Sequence, residues 1–218
     1  AYPNAFWDGR RMVFGDGDGD MFSCLSGSID VIGHELGHGV TEDEADLEYL
    51  GQPGALNESL SDVWGSMVKQ YHRGQQADEA DWLLGADVFT PGIQGDALRS
   101  MAAPGTAFDD PILGKDRQPA HMKDYVVTSE DNGGVHINSG IPSHAFYTAA
   151  MELGGPAWEV AGRVWYGAVQ HPVVTARTDF AEFAGVTLDV AARRYGTNSD
   201  AVNAVRTGWA KVGVQPAG

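Results

Sequence analysis

The chain has 218 residues, 43% of them hydrophobic, and carries 30 acidic against 14 basic side chains for a formal net charge of −16. That apolar content supports a buried core in one large domain or two small lobes and excludes a disordered chain. The charge excludes nucleic acid and anionic membranes as partners, because their phosphates would be repelled. It suits a secreted, extracellular protein that has already lost its signal peptide. No stretch approaches the roughly 20 apolar residues of a membrane span. The single cysteine, Cys24, allows no intrachain disulfide and is expected as a small buried residue.

Residues 1–27 read as strand and turn, with Asp8 and Gly9 supplying a hairpin connection before Met12, Val13 and Phe14. The run from Gly15 to Asp20 alternates glycine with aspartate. It lacks the downstream Glu of an EF-hand loop and is expected as a tight acidic turn rather than a calcium site.

A first long helix is predicted over residues 29–45, capped by Ser28 or Asp30, with Ile29, Ile32, Leu36 and Val40 on its buried face. It contains His34, Glu35 and His38 as H-E-x-x-H. Residues four apart lie one turn apart on the same helix face, so both imidazoles can reach one metal ion. Glu35 stands close enough to act as base on a water without binding the metal itself, the arrangement of a zinc protease. Gly33, Gly37 and Gly39 are poor helix formers and make sense where other backbone must approach closely.

A second helix is predicted over residues 55–72, with Leu56, Leu60, Val63, Trp64, Met67, Val68 and Tyr71 as its apolar side. Glu58 follows His38 by twenty residues. It completes a His₂Glu ligand set that leaves a fourth position open. Asp62, four residues on, is placed to accept a histidine ring N–H and fix its tautomer, and Asn57 is a second such partner.

Residues 73–135 are rich in Gly, Pro and Asp with weak periodicity, a functional loop region. At its end Gly133 and Gly134 permit a sharp turn that throws His136 into a cleft, with Asp131 five residues earlier to orient it. Beyond lie four predicted helices: Pro142 to about Leu153, one marked by Trp158, Ala161, Trp165 and Ala168, Phe180 to about Tyr195, and one marked by Ala201, Val205, Trp209 and Val212. Their aromatics are expected in the core.

Five motifs together resemble the thermolysin family of neutral metalloproteases: Asn-Ala-Phe-Trp at 4–7, His-Glu-Leu-Gly-His at 34–38, Asn-Glu-Ser-Leu-Ser-Asp at 57–62, Leu-Arg-Ser-Met at 98–101 and Asp-Asn-Gly-Gly-Val-His-Ile-Asn-Ser-Gly at 131–140. Thermolysin is itself a type case of the His₂Glu set. The resemblance implies that His34, His38 and Glu58 are zinc ligands and Glu35 the general base. It implies that Tyr49 and His136 stabilise the oxyanion, that Asp131 orients His136, and that Arg99 grips the substrate carbonyl on the leaving-group side. Asn4 and the Ala5 backbone match the edge that receives a peptide as an added strand. Phe22, Leu25, Val31, Val88 and Leu98 match the apolar pocket for the residue after the scissile bond.

The implied fold is α+β, mainly α: a thermolysin-like zincin whose residues 1–46 are a remnant of the N-terminal lobe carrying the metal helix and whose residues 47–218 form a helical C-terminal lobe. The implied function is a secreted zinc endopeptidase preferring bulky apolar residues on the amine side. The implied partners are a peptide or protein substrate and the protein's own cleaved N-terminal segment or propeptide. The family's mature enzymes carry a β-rich segment ahead of Asn4, so a nicked, truncated or naturally short form is expected. A catalytically silent zinc-binding fragment or interaction module is the alternative. Calcium is expected once, from Phe89 and Ile93 carbonyls with Thr90 and Asp96 side chains. The family's two-ion calcium site is depleted, since Lys69, Leu83 and Ala86 stand where it has carboxylates. There the Lys69 ammonium is expected to replace the metal by pairing with Asp30 or Asp81.

Overall fold

The computed structural model describes residues 4–217. A short hairpin opens the chain, β1 (Ala5–Trp7) against β2 (Met12–Phe14), with Ala5 opposite Phe14 and Trp7 opposite Met12. Asp8 accepts the backbone N–H groups of Arg10 and Arg11, and Gly9 takes a positive φ, so the Asp-Gly turn forms as predicted. The acidic run folds as the expected tight turn. Asp18 Oδ1 accepts the N–H groups of Asp20, Met21 and Phe22.

Two long helices follow, α1 (Ile29–Glu44) and α2 (Gly51–Arg73), packed face to face. Their contact overturns the predicted face of α1: Leu36 and Val40 are exposed, and Ile29 and Ile32 only partly buried. The buried stripe is Asp30, Gly33, His34, Gly37 and Thr41. The reason is backbone proximity. A Cβ on Gly33 would lie 2.9 Å from Gly65 Cα, and one on Gly37 2.9 Å from Ser61 Cα. Glycine, not leucine, is the residue that fits a crossing this close. On α2, Leu56, Leu60, Val63 and Met67 are buried as expected, Trp64 is half-buried, and Val68 and Tyr71 are exposed. Tyr71 instead sets its ring edge-on against Trp158.

Gly65→Ala tests the close crossing. Its methyl would strike the Asp30 carbonyl oxygen, and neither helix can yield without losing the other glycine contacts. The expected cost is about 1–3 kcal/mol, the usual range for overpacking. Gly27→Ala, where nothing lies within 4 Å of the added carbon, is expected to stay within about 0.5 kcal/mol of wild type. Urea midpoints of the two variants check this.

Between α2 and the later helices the chain runs through two-residue strands: β3 (Leu83–Leu84) pairs antiparallel with β4 (Arg99–Ser100), and β5 (Asp109–Asp110) with β6 (Gly114–Lys115). Then come α3 (Asp131–Asn138), α4 (Gly140–Leu153), α5 (Val160–Val169), α6 (Phe180–Tyr195) and α7 (Asp200–Lys211). α6 starts on a reciprocal cap, Asp179 accepting the Glu182 N–H at 2.9 Å and Glu182 accepting the Asp179 N–H at 3.0 Å. α1 has no such bond. Ser28 occupies its N-cap position, but its hydroxyl donates to the Asp30 carboxylate, so the predicted cap is absent from both residues.

The large core joins α2 to α4, α5, α6 and α7 around Phe146, Trp165, Phe183 and Trp209. The Trp165 and Trp209 rings stack, and Trp209 Nε1 donates to Thr187 Oγ1 at 2.9 Å. A second, smaller core of Leu25, Val31 and Val88, with Ala5, Phe14, Phe22, Phe89 and Leu98 against it, packs beside α1. Cys24, expected to be buried there, is exposed and in contact with Ser26 Oγ at 3.2 Å. Leu25 takes the inward position instead.

Candidate metal centre and active site

His34 and His38 project from one face of α1 toward α2, their Nε2 atoms 3.1 Å apart. Glu58 rises from α2 with its carboxylate oxygens 3.5 Å from each of those nitrogens. Among the described residues these three form the one group of acidic, histidine or cysteine side chains with donor atoms all within 4.8 Å. The ring orientations are fixed from behind. His34 Nδ1 donates to Asp62 Oδ1 and His38 Nδ1 to Asn57 Oδ1, both at 2.7 Å. With Nδ1 holding the proton, each Nε2 presents its lone pair inward.

Glu58 supplies a test of whether a cation belongs here. Its Oε2 is fully buried and accepts no hydrogen bond, which is costly unless an ion satisfies it. Burial would raise the Glu58 pKa, but the charges of His136, His34 and His38 outweigh it and hold the carboxyl down at about 2. A metal would take the place of the His34 and His38 protons, leaving an ionised carboxylate and two imidazole lone pairs around one point. Those donors fit zinc.

The side chains predicted to act around the metal are gathered from α1, the connection before α2, β4 and α3. Glu35, on α1 beside the first ligand, is buried, and burial raises its pKa against the lowering effect of His34. Tyr49 precedes α2 and donates its hydroxyl to Glu58 Oε1. Its Oη also lies 3.3 Å from His136 Nε2. Burial and the Glu58 charge push the Tyr49 pKa up, so its proton stays on.

His136 is delivered by a backbone turn within α3. Asp131, Asn132, Gly133 and Gly134 all take positive φ, from 49° to 81°. A Cβ at Gly134 would lie 2.8 Å from Asn138 Nδ2, so glycine is required there by both conformation and space. Asp131 then holds His136 twice, accepting its backbone N–H at 2.8 Å and its Nδ1–H at 2.6 Å. Burial lowers the His136 pKa, but Glu58 and Asp131 more than reverse this and raise it. When protonated, the ring carries an N–H on Nε2, which faces the cleft.

Arg99 forks onto Asp62, with Nε and Nη2 each 2.7 Å from a carboxylate oxygen. Burial opposes the charge on Asp62, yet Arg99 and His34 hold its pKa well below the usual range. One carboxylate therefore fixes both a ligand ring and the arginine.

Glu35, Tyr49, Arg99 and His136, with His34, His38 and Glu58, line a cleft of about 690 Å³. Asn4 and Ala5 are among its lining residues, and Phe22, Leu25, Val31 and Leu98, which pack in the smaller core, give it an apolar end. Val88 is corrected. It does not face the cleft but lies fully buried behind it, packed with Leu25 and Val31. Leu84, a residue of the large core, also lines the cleft and was missed in the sequence, because its strand is two residues long and shows no alternation. Trp7 and Glu42 were also missed; they line the opposite stretch, the indole donating to Glu42 Oε2 at 2.7 Å. Their sequence signal was Gly39, which leaves room for the Trp7 ring.

The Lys69 expectation is met. Its ammonium is 2.9 Å from Asp30 Oδ2 and 2.8 Å from Asp81 Oδ1.

The comparisons agree with this geometry. The model of the thermolysin metallopeptidase catalytic domain matches residues 1–42, and that of the thermolysin metallopeptidase alpha-helical domain matches residues 45–214. An extracellular metalloprotease of Pectobacterium carotovorum subsp. carotovorum is 56% identical over 214 residues, covering 98% of this chain and 61% of that protein. Thermolysin of Alicyclobacillus acidocaldarius subsp. acidocaldarius is 39% identical over 220 residues, covering 98% of this chain and 38% of its own. The structure of the precursor of protealysin, a metalloproteinase from Serratia proteamaculans, superposes with a TM-score of 0.95 at 58% identity, covering 98% of this chain and 66% of that one. The chain thus spans less than two thirds of the curated relatives it matches. On its motifs, its fold and these matches, the chain belongs to the thermolysin metallopeptidase family.

Proposed function

We propose that this chain is the catalytic part of a secreted zinc endopeptidase that cleaves proteins or peptides before bulky apolar residues. The observation that carries the reading is the convergence of His34, His38 and the partnerless Glu58 Oε2 in a cleft with one apolar end. When bound by these three residues, zinc supplies Lewis-acid polarisation of the scissile carbonyl and acidifies water.

The chain's own groups do the rest. Glu35, its carboxyl raised by burial, accepts the proton of the attacking water and passes it to the departing amine. The Nε2–H of charged His136 and the O–H of Tyr49, 3.3 Å apart, donate to the developing oxyanion, each such preorganised donor being worth about 3–4 kcal/mol. Arg99, held rigid by Asp62, grips the carbonyl on the amine side. The Asn4–Ala5 edge takes the peptide as an added strand. Phe22, Leu25, Val31, Leu84 and Leu98 receive the apolar side chain.

The same proposal includes the two lobes, residues 1–46 and 47–218, and a cleaved N-terminal segment or propeptide as a partner. It also includes one calcium ion at Phe89, Thr90, Ile93 and Asp96. In that loop the Thr90 hydroxyl donates to the Asp20 carbonyl and Asp96 is exposed. No helix among the described residues is long and apolar enough to cross a membrane.

The test is hydrolysis of a quenched peptide with leucine on the amine side. Zinc-loaded chain is expected to cleave before that leucine, stop on chelation and recover on zinc addition. A chain that binds zinc stoichiometrically and cleaves nothing would instead be the silent zinc-binding module.

A further inference from the structure

Lys69 is 2% exposed, the largest charged side chain in the fully buried interior. It serves neither the metal nor the cleft directly. A buried ammonium is tolerated only when every donor is met, and here its three N–H groups go to Asp30 Oδ2, Asp81 Oδ1 and the Leu83 carbonyl. The first partner is on α1; the other two are on the segment that enters β3. Asp30 Oδ2 also accepts the Gly85 N–H at 3.2 Å, while its Oδ1 accepts Val31 N–H. The ammonium and Asp30 together tie residues 81, 83 and 85 to the two metal helices.

What hangs on that segment is the apolar end of the cleft. Leu84 lines the cleft and pairs with Arg99 across β3 and β4. Gly85 is pressed against Leu98, where a Cβ would lie 2.7 Å from Leu98 Cδ1. The strands are two residues long, too short to hold a register by their own ladder. We propose that Lys69 is a positioning residue that sets the shape of this pocket, and hence the discrimination between large and small side chains on the amine side. The proposal rests on the protease reading above.

The experiment measures kcat and KM on two quenched peptides, identical but for leucine or alanine after the scissile bond. It uses zinc-loaded wild type, Lys69→Met, Asp81→Asn and, as a core truncation far from the pocket, Val164→Ala. Lys69→Met and Asp81→Asn are expected to lower the leucine-to-alanine ratio of kcat/KM about tenfold and about threefold, mainly through KM for leucine. Val164→Ala is expected to keep the wild-type ratio whatever its stability. If Lys69→Met does not fold, Asp81→Asn decides. A wild-type ratio in the lysine and aspartate variants would overturn the proposal. Should wild type cleave neither peptide, the protease reading fails. Amide exchange then decides: faster exchange at Gly85 and Leu98 in Asp81→Asn, with α6 unchanged, supports the positioning role, and unchanged exchange at both overturns it.

Discussion

Glu35→Gln is expected to keep one zinc per chain and lose peptide hydrolysis by about 10³-fold or more, general-base removal alone accounting for about 10²–10⁴-fold. The substitution is nearly isosteric, and Glu35 does not belong to the converging donor group of His34, His38 and Glu58. The amide cannot accept the proton. The buried setting that raises the Glu35 carboxyl makes it a good acceptor near neutral pH, so the loss should fall on kcat with KM little changed. Zinc analysis with kcat and KM on the leucine peptide checks it. Retained hydrolysis would move the base elsewhere.

Glu58→Gln is expected to have the opposite signature, losing zinc first and activity as a consequence. A neutral amide is a poor ligand, so the affinity loss should exceed the about 10–100-fold typical of an outer hydrogen-bond partner. Asp62→Asn belongs in that milder class. Stability separates the two effects. At zinc one hundredfold above its Kd, binding contributes about 2.7 kcal/mol to the wild-type chain. In a domain of this size that is about 5–10 °C in Tm. Glu58→Gln should lose this zinc-dependent rise, and its zinc-free Tm should fall as well, because the folded chain holds the Glu58 carboxyl ionised against His136, His34 and His38 and removing one member of a buried set of charges leaves the others unpaired. Calorimetric scans with and without zinc read both quantities.

The site was legible because its chemistry is written in fixed local spacings. His34 and His38 are one helical turn apart, Glu58 and Asp62 likewise on the next helix, and two adjoining helices bring the four together. Asp131 and His136 are joined by a turn that glycine pairs announce. The Lys69 ion pair was legible through the resemblance, because Lys69 stands where the family has a calcium-binding carboxylate and Asp30 and Asp81 remain beside it. What failed was the reading of faces. On α1 the apolar residues Leu36 and Val40 face outward while Gly33 and Gly37 face inward, because the helix crossing is closer than any leucine permits. On α2 the apolar residues Val68 and Tyr71 likewise lie at the surface. The pocket wall was hidden for another reason. Leu84 enters the cleft through a long-range pairing with Arg99, and Val88 turns behind it. Neither follows from local periodicity when the strands are two residues long.

Zinc K-edge X-ray absorption of the zinc-loaded chain tests the metal centre most directly, taken beside the same spectrum of Glu58→Gln at a protein and zinc concentration high enough to load its weakened site. The expected wild-type spectrum is two imidazole nitrogens and one carboxylate at about 2.0–2.2 Å with a solvent oxygen completing the shell, and the carboxylate contribution disappears in the variant. Four protein ligands in the wild type, or an identical spectrum in both proteins, would contradict a catalytic centre built on His34, His38 and Glu58.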